Sequence, residues 1–122
     1  LHFFEGLRRL DKAGIPVYNY MVAYKMPFFG GQVMCHTSDL ALWFGSMEGA
    51  AYQYRGDETN AQRVSNHMMD ALAAFAASGD PSGKLLKWAP YTTDAHNTMV
   101  FDVKSGCKVD FDRAVYEAMM NQ

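Results

Sequence analysis

The chain has little with which to brace itself covalently. Cys35 and Cys107 are its only 2 cysteines, too few for a disulfide framework. They allow one bridge at most, and two free thiols in a reducing compartment is the plainer reading. That favours a cytoplasmic setting without fixing one. No apolar run approaches the roughly 20 residues needed to span a bilayer. The opening Leu1-His2-Phe3-Phe4-Glu5 lacks the basic head and long apolar body of a secretory signal. Excess charge of either sign is missing too, since 11 Lys and Arg against 13 Asp and Glu leave a net charge of -2. Phosphate binding needs a concentrated basic patch, so neither nucleic acid nor a polybasic membrane surface is an expected partner. There is no internal repeat and no low-complexity tract. A start at Leu1, inside a helical pattern and without a methionine, reads as a piece of a longer protein.

What is present suffices for one domain or part of one: 122 residues, of which 49% are apolar. The 9 methionines are read as adaptable core filler and not as a metal box. Phe3, Leu7 and Leu10 fall on one face at helical spacing, and Gly14 and Pro16 stop that helix. Residues 17–24 are aromatic and β-branched, apolar at both parities apart from Asn19. That predicts a strand covered on both sides, in a mostly parallel sheet between helices. Such a strand needs neighbours that the chain barely supplies. A turn-rich loop over 27–31 leads into Cys35-His36-Thr37-Ser38-Asp39 and a short apolar helix closed by Gly45. Thr37 or Ser38 is the expected cap, with Asp39 in the first turn. Residues 46–58 read as a polar surface excursion.

From Thr59 to Ser78 runs the clearest helix, with Val64, Met68, Ala71, Leu72, Phe75 and Ala76 as its apolar stripe. Arg63, Asn66, His67 and Asp70 lie on its wetter side. Gly79 caps it, and Asp80-Pro81-Ser82-Gly83 turns the chain. Trp88 anchors an irregular segment, residues 92–97 turn, and 98–102 form a short strand broken by Lys104-Ser105-Gly106. Asp110 or Asp112 caps a last helix carrying Val115, Tyr116 and Met119. The order of elements is that of the tail of an α/β fold.

Four histidines raise the question of a metal. His2, His36, His67 and His96 are far apart, without a second His or Cys at ligand spacing, so neither a metal nor a cofactor is expected. His2 is terminal, and His67 and His96 read as exposed polar residues. His36 alone has an unusual setting, on a loop between a glycine pair and a short helix. It is either a reactive group or a loop histidine satisfied by backbone hydrogen bonds.

Residue order adds to this. In α/β-hydrolases the triad runs Ser, acid, His along the chain, which puts the histidine on a loop near the end of the domain. The run Cys35-His36-Thr37-Ser38-Asp39-Leu40-Ala41-Leu42-Trp43-Phe44-Gly45 resembles the His, two residues, acid, apolar turn and Phe-Gly of type-B carboxylesterases. These are the cholinesterase and para-nitrobenzyl esterase family. Phe75-Ala76-Ala77-Ser78-Gly79-Asp80-Pro81, Trp88-Ala89-Pro90-Tyr91, Met99-Val100-Phe101-Asp102 and Pro16-Val17-Tyr18-Asn19-Tyr20 match that family in order and spacing. The resemblance covers nearly the whole chain, read as residues 1–122 of a single C-terminal segment of an α/β-hydrolase domain.

The resemblance implies that His36 is the general base of a serine esterase acting on small-molecule esters. Asp39 is then a supporting or capping group, because the family's triad acid is a separate, earlier residue. Cys35 and Ser38 flank the histidine at the pocket wall. The family's Gly-x-Ser-x-Gly elbow, triad acid and oxyanion loop are absent from this sequence, so the chain alone is expected to be inactive. Two alternatives stand beside this: an esterase-like binding or adhesion module without catalysis, and a fragment that self-associates through its uncovered strand.

Overall fold

A computed structural model of the chain describes residues 2–120. The expectation for His2 falls on a side chain outside the described ones. Three strands form one mixed sheet in the order β1-β2-β3. β1 (Asn19–Val22) runs parallel to β2 (Thr98–Phe101), in register from Asn19 opposite Thr98 to Val22 opposite Phe101. β3 (Gly106–Lys108) returns antiparallel to β2. The sequence predicts a break at Lys104-Ser105-Gly106, and the structure turns that break into a hairpin. Ser105 Oγ bonds the backbone of Asp102 at both N and O, which tightens the turn enough for a third strand. β2 lies between its neighbours and is buried along its whole length.

Between β1 and β2 the chain makes a long crossover. It holds a short 3₁₀ turn (Phe28–Gly30), α2 (Leu40–Trp43), a second 3₁₀ turn (Met47–Ala50), α3 (Ala51–Tyr54) and α4 (Glu58–Ser78). Before β1 stands α1 (His2–Lys12), and after β3 stands α5 (Arg113–Met120). The architecture is therefore α/β, as its alternation of elements requires. α4 ends where the sequence places its stop. Gly79 sits at φ 77°, a left-handed conformation natural to glycine, and its N–H reaches the Phe75 carbonyl at 2.7 Å.

Two cores hold these elements. The larger joins Tyr24, Leu42, Tyr54, Val64, Met68, Trp88, Met99 and Phe101. The smaller joins Phe4 and Leu7 of α1 to Tyr91, with Tyr116 and Met119 of α5 against them.

Several expectations are corrected by this packing. α1 buries Phe4 and Leu7, whereas Phe3 is 58% exposed and Leu10 40% exposed. α1 meets α5 through Phe4 and Tyr116, whose rings stand edge to face at 5.6 Å, and this turns Phe3 and Leu10 outward. β1 is not covered on both sides. Its far edge has no partner among the described residues, and Tyr20 and Met21 remain about half exposed. Phe75 and Ala76 on the last turns of α4 are exposed as well, and Phe75 borders an apolar hollow walled by Tyr18 and Tyr20. Residues 46–58 are more than a surface excursion. Tyr54 within them is buried and directs its hydroxyl to the Ser38 carbonyl at 3.5 Å.

His96 departs furthest from expectation. It is 1% exposed, and its Nδ1 lies 2.9 Å from Asp112 Oδ1. Tyr91 and Tyr116 rings flank it at 5.3 and 5.0 Å. Asn19 extends the cluster by donating to Thr98 Oγ1 at 2.9 Å. A buried imidazole needs a hydrogen-bonding partner, and Asp112, distant in sequence, supplies it at the head of α5.

Candidate active site

His36 sits on a turn that the chain builds with care. Backbone bonds between Met26 and Gln32 close the glycine-bearing loop before it. Ser38 then fastens the turn: its Oγ donates to the Cys35 carbonyl at 2.7 Å and accepts the Cys35 N–H at 2.9 Å. Ser38 is therefore spent on the backbone of the turn and on Met34 Sδ at 3.3 Å. Thr37 occupies the left-handed region at φ 66°. A β-branched residue held there costs of order 1–3 kcal/mol and persists only where the surroundings over-determine it. Strain of that size immediately beside His36 marks the turn as a built feature.

The imidazole is exposed and borders a cleft of about 570 Å³. That cleft is lined by every residue from Tyr18 to Val22, by Phe3 and Leu7 of α1, and by Met34 to Thr37 and Asp39 of the turn. Successive residues of a strand point to opposite faces. A cleft touching both parities must run along the strand's edge, so His36 stands over the unpaired edge of β1. Across the same strand a second, apolar hollow of about 310 Å³ lies among Leu10, Val17, Trp43, Phe75 and Trp88. Tyr18 and Tyr20 wall both spaces.

Asp39 takes neither the first-turn place expected for it nor a capping bond. It is the N-cap residue of α2, with no side-chain bond to the helix amides. Its Oδ2 accepts instead from Trp43 Nε1 at 3.2 Å and from the Tyr20 hydroxyl at 3.4 Å. Burial, followed by the Asp39 charge, raises the Tyr20 pKa above the ordinary phenol value, so this hydroxyl remains a donor. Tyr54 is raised by the same pair of causes. Neither Thr37 nor Ser38 caps α2.

Among the described residues no side chain hydrogen-bonds the His36 ring. Cys35 is exposed and free, and among the described residues its sulfur receives the Gln32 amide at 3.9 Å and no hydrogen bond from a histidine ring. His67 is partly buried on α4, its Nδ1 2.9 Å from Ser105 Oγ, and burial, then Arg63, lowers its pKa. His96 is paired with a carboxylate but sealed in the smaller core. Among the described residues no three His, Cys, Asp or Glu side chains gather as metal ligands, and no helix is long and apolar enough to cross a membrane. Sequence reasoning misses Tyr20, Trp43 and Tyr54, which hold the turn. The four-residue spacing of Asp39 and Trp43 is the one local signal that points to any of them.

A parallel strand pair joined by a helical crossover that carries a histidine turn is an α/β unit, and it matches part of the esterase α/β-hydrolase fold. The chain belongs to the Carboxylesterase family, whose profile matches residues 3–119, and type-B carboxylesterase fits its solved relatives. No curated protein matches it. It is similar to an esterase from anaerobic Clostridium hathewayi, reported to hydrolyse aliphatic aromatic polyesters, at 28% identity and TM-score 0.83. That match covers 94% of this chain and 23% of the other. A carboxylesterase from Geobacillus stearothermophilus is 26% identical at TM-score 0.81, covering 94% of this chain and 24% of its own. A para-nitrobenzyl esterase at 19% identity and TM-score 0.71, covering 84% of this chain and 21% of its own, shares the fold. The chain thus spans about a quarter of the length of its solved relatives.

Proposed function

We propose that residues 1–122 are the single C-terminal segment of a serine carboxylic-ester hydrolase and that His36 is its general base. The observation that carries this reading is an exposed imidazole beside strained Thr37, at the mouth of a cleft along an uncovered strand edge. In the parent enzyme a serine hydroxyl gives its proton to the neutral imidazole as its oxygen attacks the ester carbonyl. The imidazolium returns that proton to the alcohol oxygen as the carbon–oxygen bond breaks. A water molecule then repeats the two transfers and frees the acid, so no cofactor is needed. The nucleophile, the triad acid and the oxyanion donors come from the upstream portion. Cys35 walls the cleft, Ser38 closes the turn, and Asp39 supports it.

A fluorophosphonate that phosphonylates activated serines is expected to label the parent enzyme and leave the isolated chain unlabelled. This sequence contains no Gly-x-Ser-x-Gly. Labelling of the isolated chain would sink the assignment, and a parent without a reactive serine would make the chain a binding or adhesion module.

The free edge of β1 favours a second reading of the isolated chain, in which two copies associate through it. Sizing chromatography is expected to show a dimer if so, and a clean monomer removes the idea.

A further inference from the structure

The Asp39 carboxylate serves two donors with one oxygen, and both donors belong to side chains fixed elsewhere. The Trp43 indole packs edge to face on Tyr20 at 5.1 Å and on Phe101 at 5.3 Å, which binds it to β1 and β2. On the other side of α2, Leu42 is fully buried and its carbonyl accepts from Ser65 Oγ of α4 at 2.8 Å. α2 is therefore gripped by the sheet through Trp43 and by α4 through Leu42. Asp39 is the point where this grip reaches the turn that carries His36, three residues earlier. Resting on the general-base assignment above, we infer that Trp43 is a positioning residue for His36, and that it acts through its indole N–H on Asp39.

The direction of action follows from the geometry. The N–H···O bond at 3.2 Å draws Asp39 toward the sheet and away from the amides that a helix-cap carboxylate would ordinarily meet. Tyr20 adds a second donor at 3.4 Å on the same oxygen. Without the indole N–H only the longer Tyr20 bond at 3.4 Å holds the carboxylate, which can then swing toward the α2 amides and take the turn with it. The strained conformation of Thr37 makes that turn ready to relax. What Trp43 requires of Asp39 is an acceptor oxygen in the right place, and a full negative charge is not needed for that.

The test is kinetic, on the parent enzyme. Trp43→Phe keeps the ring packing and removes the N–H. It is expected to lower kcat roughly tenfold with KM changed less than about twofold, because misplacing a catalytic group costs turnover and not binding. Asp39→Ala is expected to match it. Asp39→Asn, which retains an acceptor oxygen for the indole, is expected to keep kcat within about threefold of the wild type. Melting curves on each variant separate a loss of fold from a loss of position. Wild-type kcat in Trp43→Phe would overturn the inference. So would an Asp39→Asn variant as slow as Asp39→Ala, since the charge would then be the active element. His36→Gln serves as the control: full activity there removes the general-base assignment itself, whereas an inactive control beside an unaffected Trp43→Phe removes the positioning role alone.

Discussion

Replacing His36 by alanine in the parent enzyme is expected to lower kcat by roughly 10³-fold or more while KM changes little. The split follows from what the imidazole does. In the proposed general-base role it moves a proton in the transition state and contributes little to holding the ground-state ester, so its loss is expected to raise the barrier without weakening binding. Among the described side chains, no other histidine or thiol is placed to take over. Cys35 lies in the same cleft wall with no hydrogen bond from a histidine ring among the described residues, and Asp39 is engaged by Trp43 and Tyr20. His67 is bound to Ser105 at the β2–β3 turn, and His96 is enclosed with Asp112 in the smaller core. Because His36 is exposed at a cleft of about 570 Å³, the truncated side chain leaves a space open to small solutes. Added imidazole is accordingly expected to restore part of the lost rate, with saturation in imidazole concentration. Steady-state kinetics with and without imidazole reads both effects. A variant that keeps most of its turnover would place the base elsewhere.

How far the sequence discloses this arrangement depends on the range over which each residue finds its partners. α4 is legible because its period repeats over twenty-one residues and ends on a glycine suited to the left-handed cap. β2 is legible because four successive apolar-capable residues suit a fully buried strand. The motifs around His36 and Trp88 are legible as a resemblance, in order and spacing. What escapes reading is set by contacts between distant segments. Nothing near His96 foretells that Asp112 will meet it across sixteen residues, so a turn histidine is taken for a wet one. Asp39 is misread differently. A carboxylate at a helix head is ordinarily claimed by the helix amides, and here indole and phenol donors outcompete them. The outward faces of α1 and α4 carry apolar residues that a helix period assigns to a core. Within these residues that core is the unfilled flank of β1.

That flank gives the second large prediction. Phe101→Ala is expected to destabilise the folded chain by about 3–5 kcal/mol, from lost transfer energy and the cavity left behind. Phe101 is fully buried, and its ring meets Trp43 at 5.3 Å, Trp88 at 5.6 Å and Tyr20 at 6.1 Å, each near edge-to-face. Its carbonyl also accepts from the Ala23 N–H at 2.8 Å and the Tyr24 N–H at 3.1 Å, just beyond the parallel pairing of β1 with β2. The backbone bonds survive truncation, but the rings around the side chain close in only partly. Against a typical domain stability of about 5–15 kcal/mol, such a loss is a large share of the whole. Phe101→Met, nearer in volume, is expected to cost roughly 1.5 kcal/mol or less. Phe75→Ala provides the contrast. Phe75 lies on the apolar stripe of α4 yet is 48% exposed, so in the isolated chain it is expected to change stability by less than about 1 kcal/mol. In the parent enzyme, with the edge of β1 and its apolar hollow covered, the same substitution is expected to cost about 3–5 kcal/mol, as it does for a core phenylalanine. Denaturant midpoints measured at constant m on chain and parent decide it. Equal costs for Phe75→Ala in both would mean that nothing covers that face, and the hollow beside β1 would then be ordinary surface.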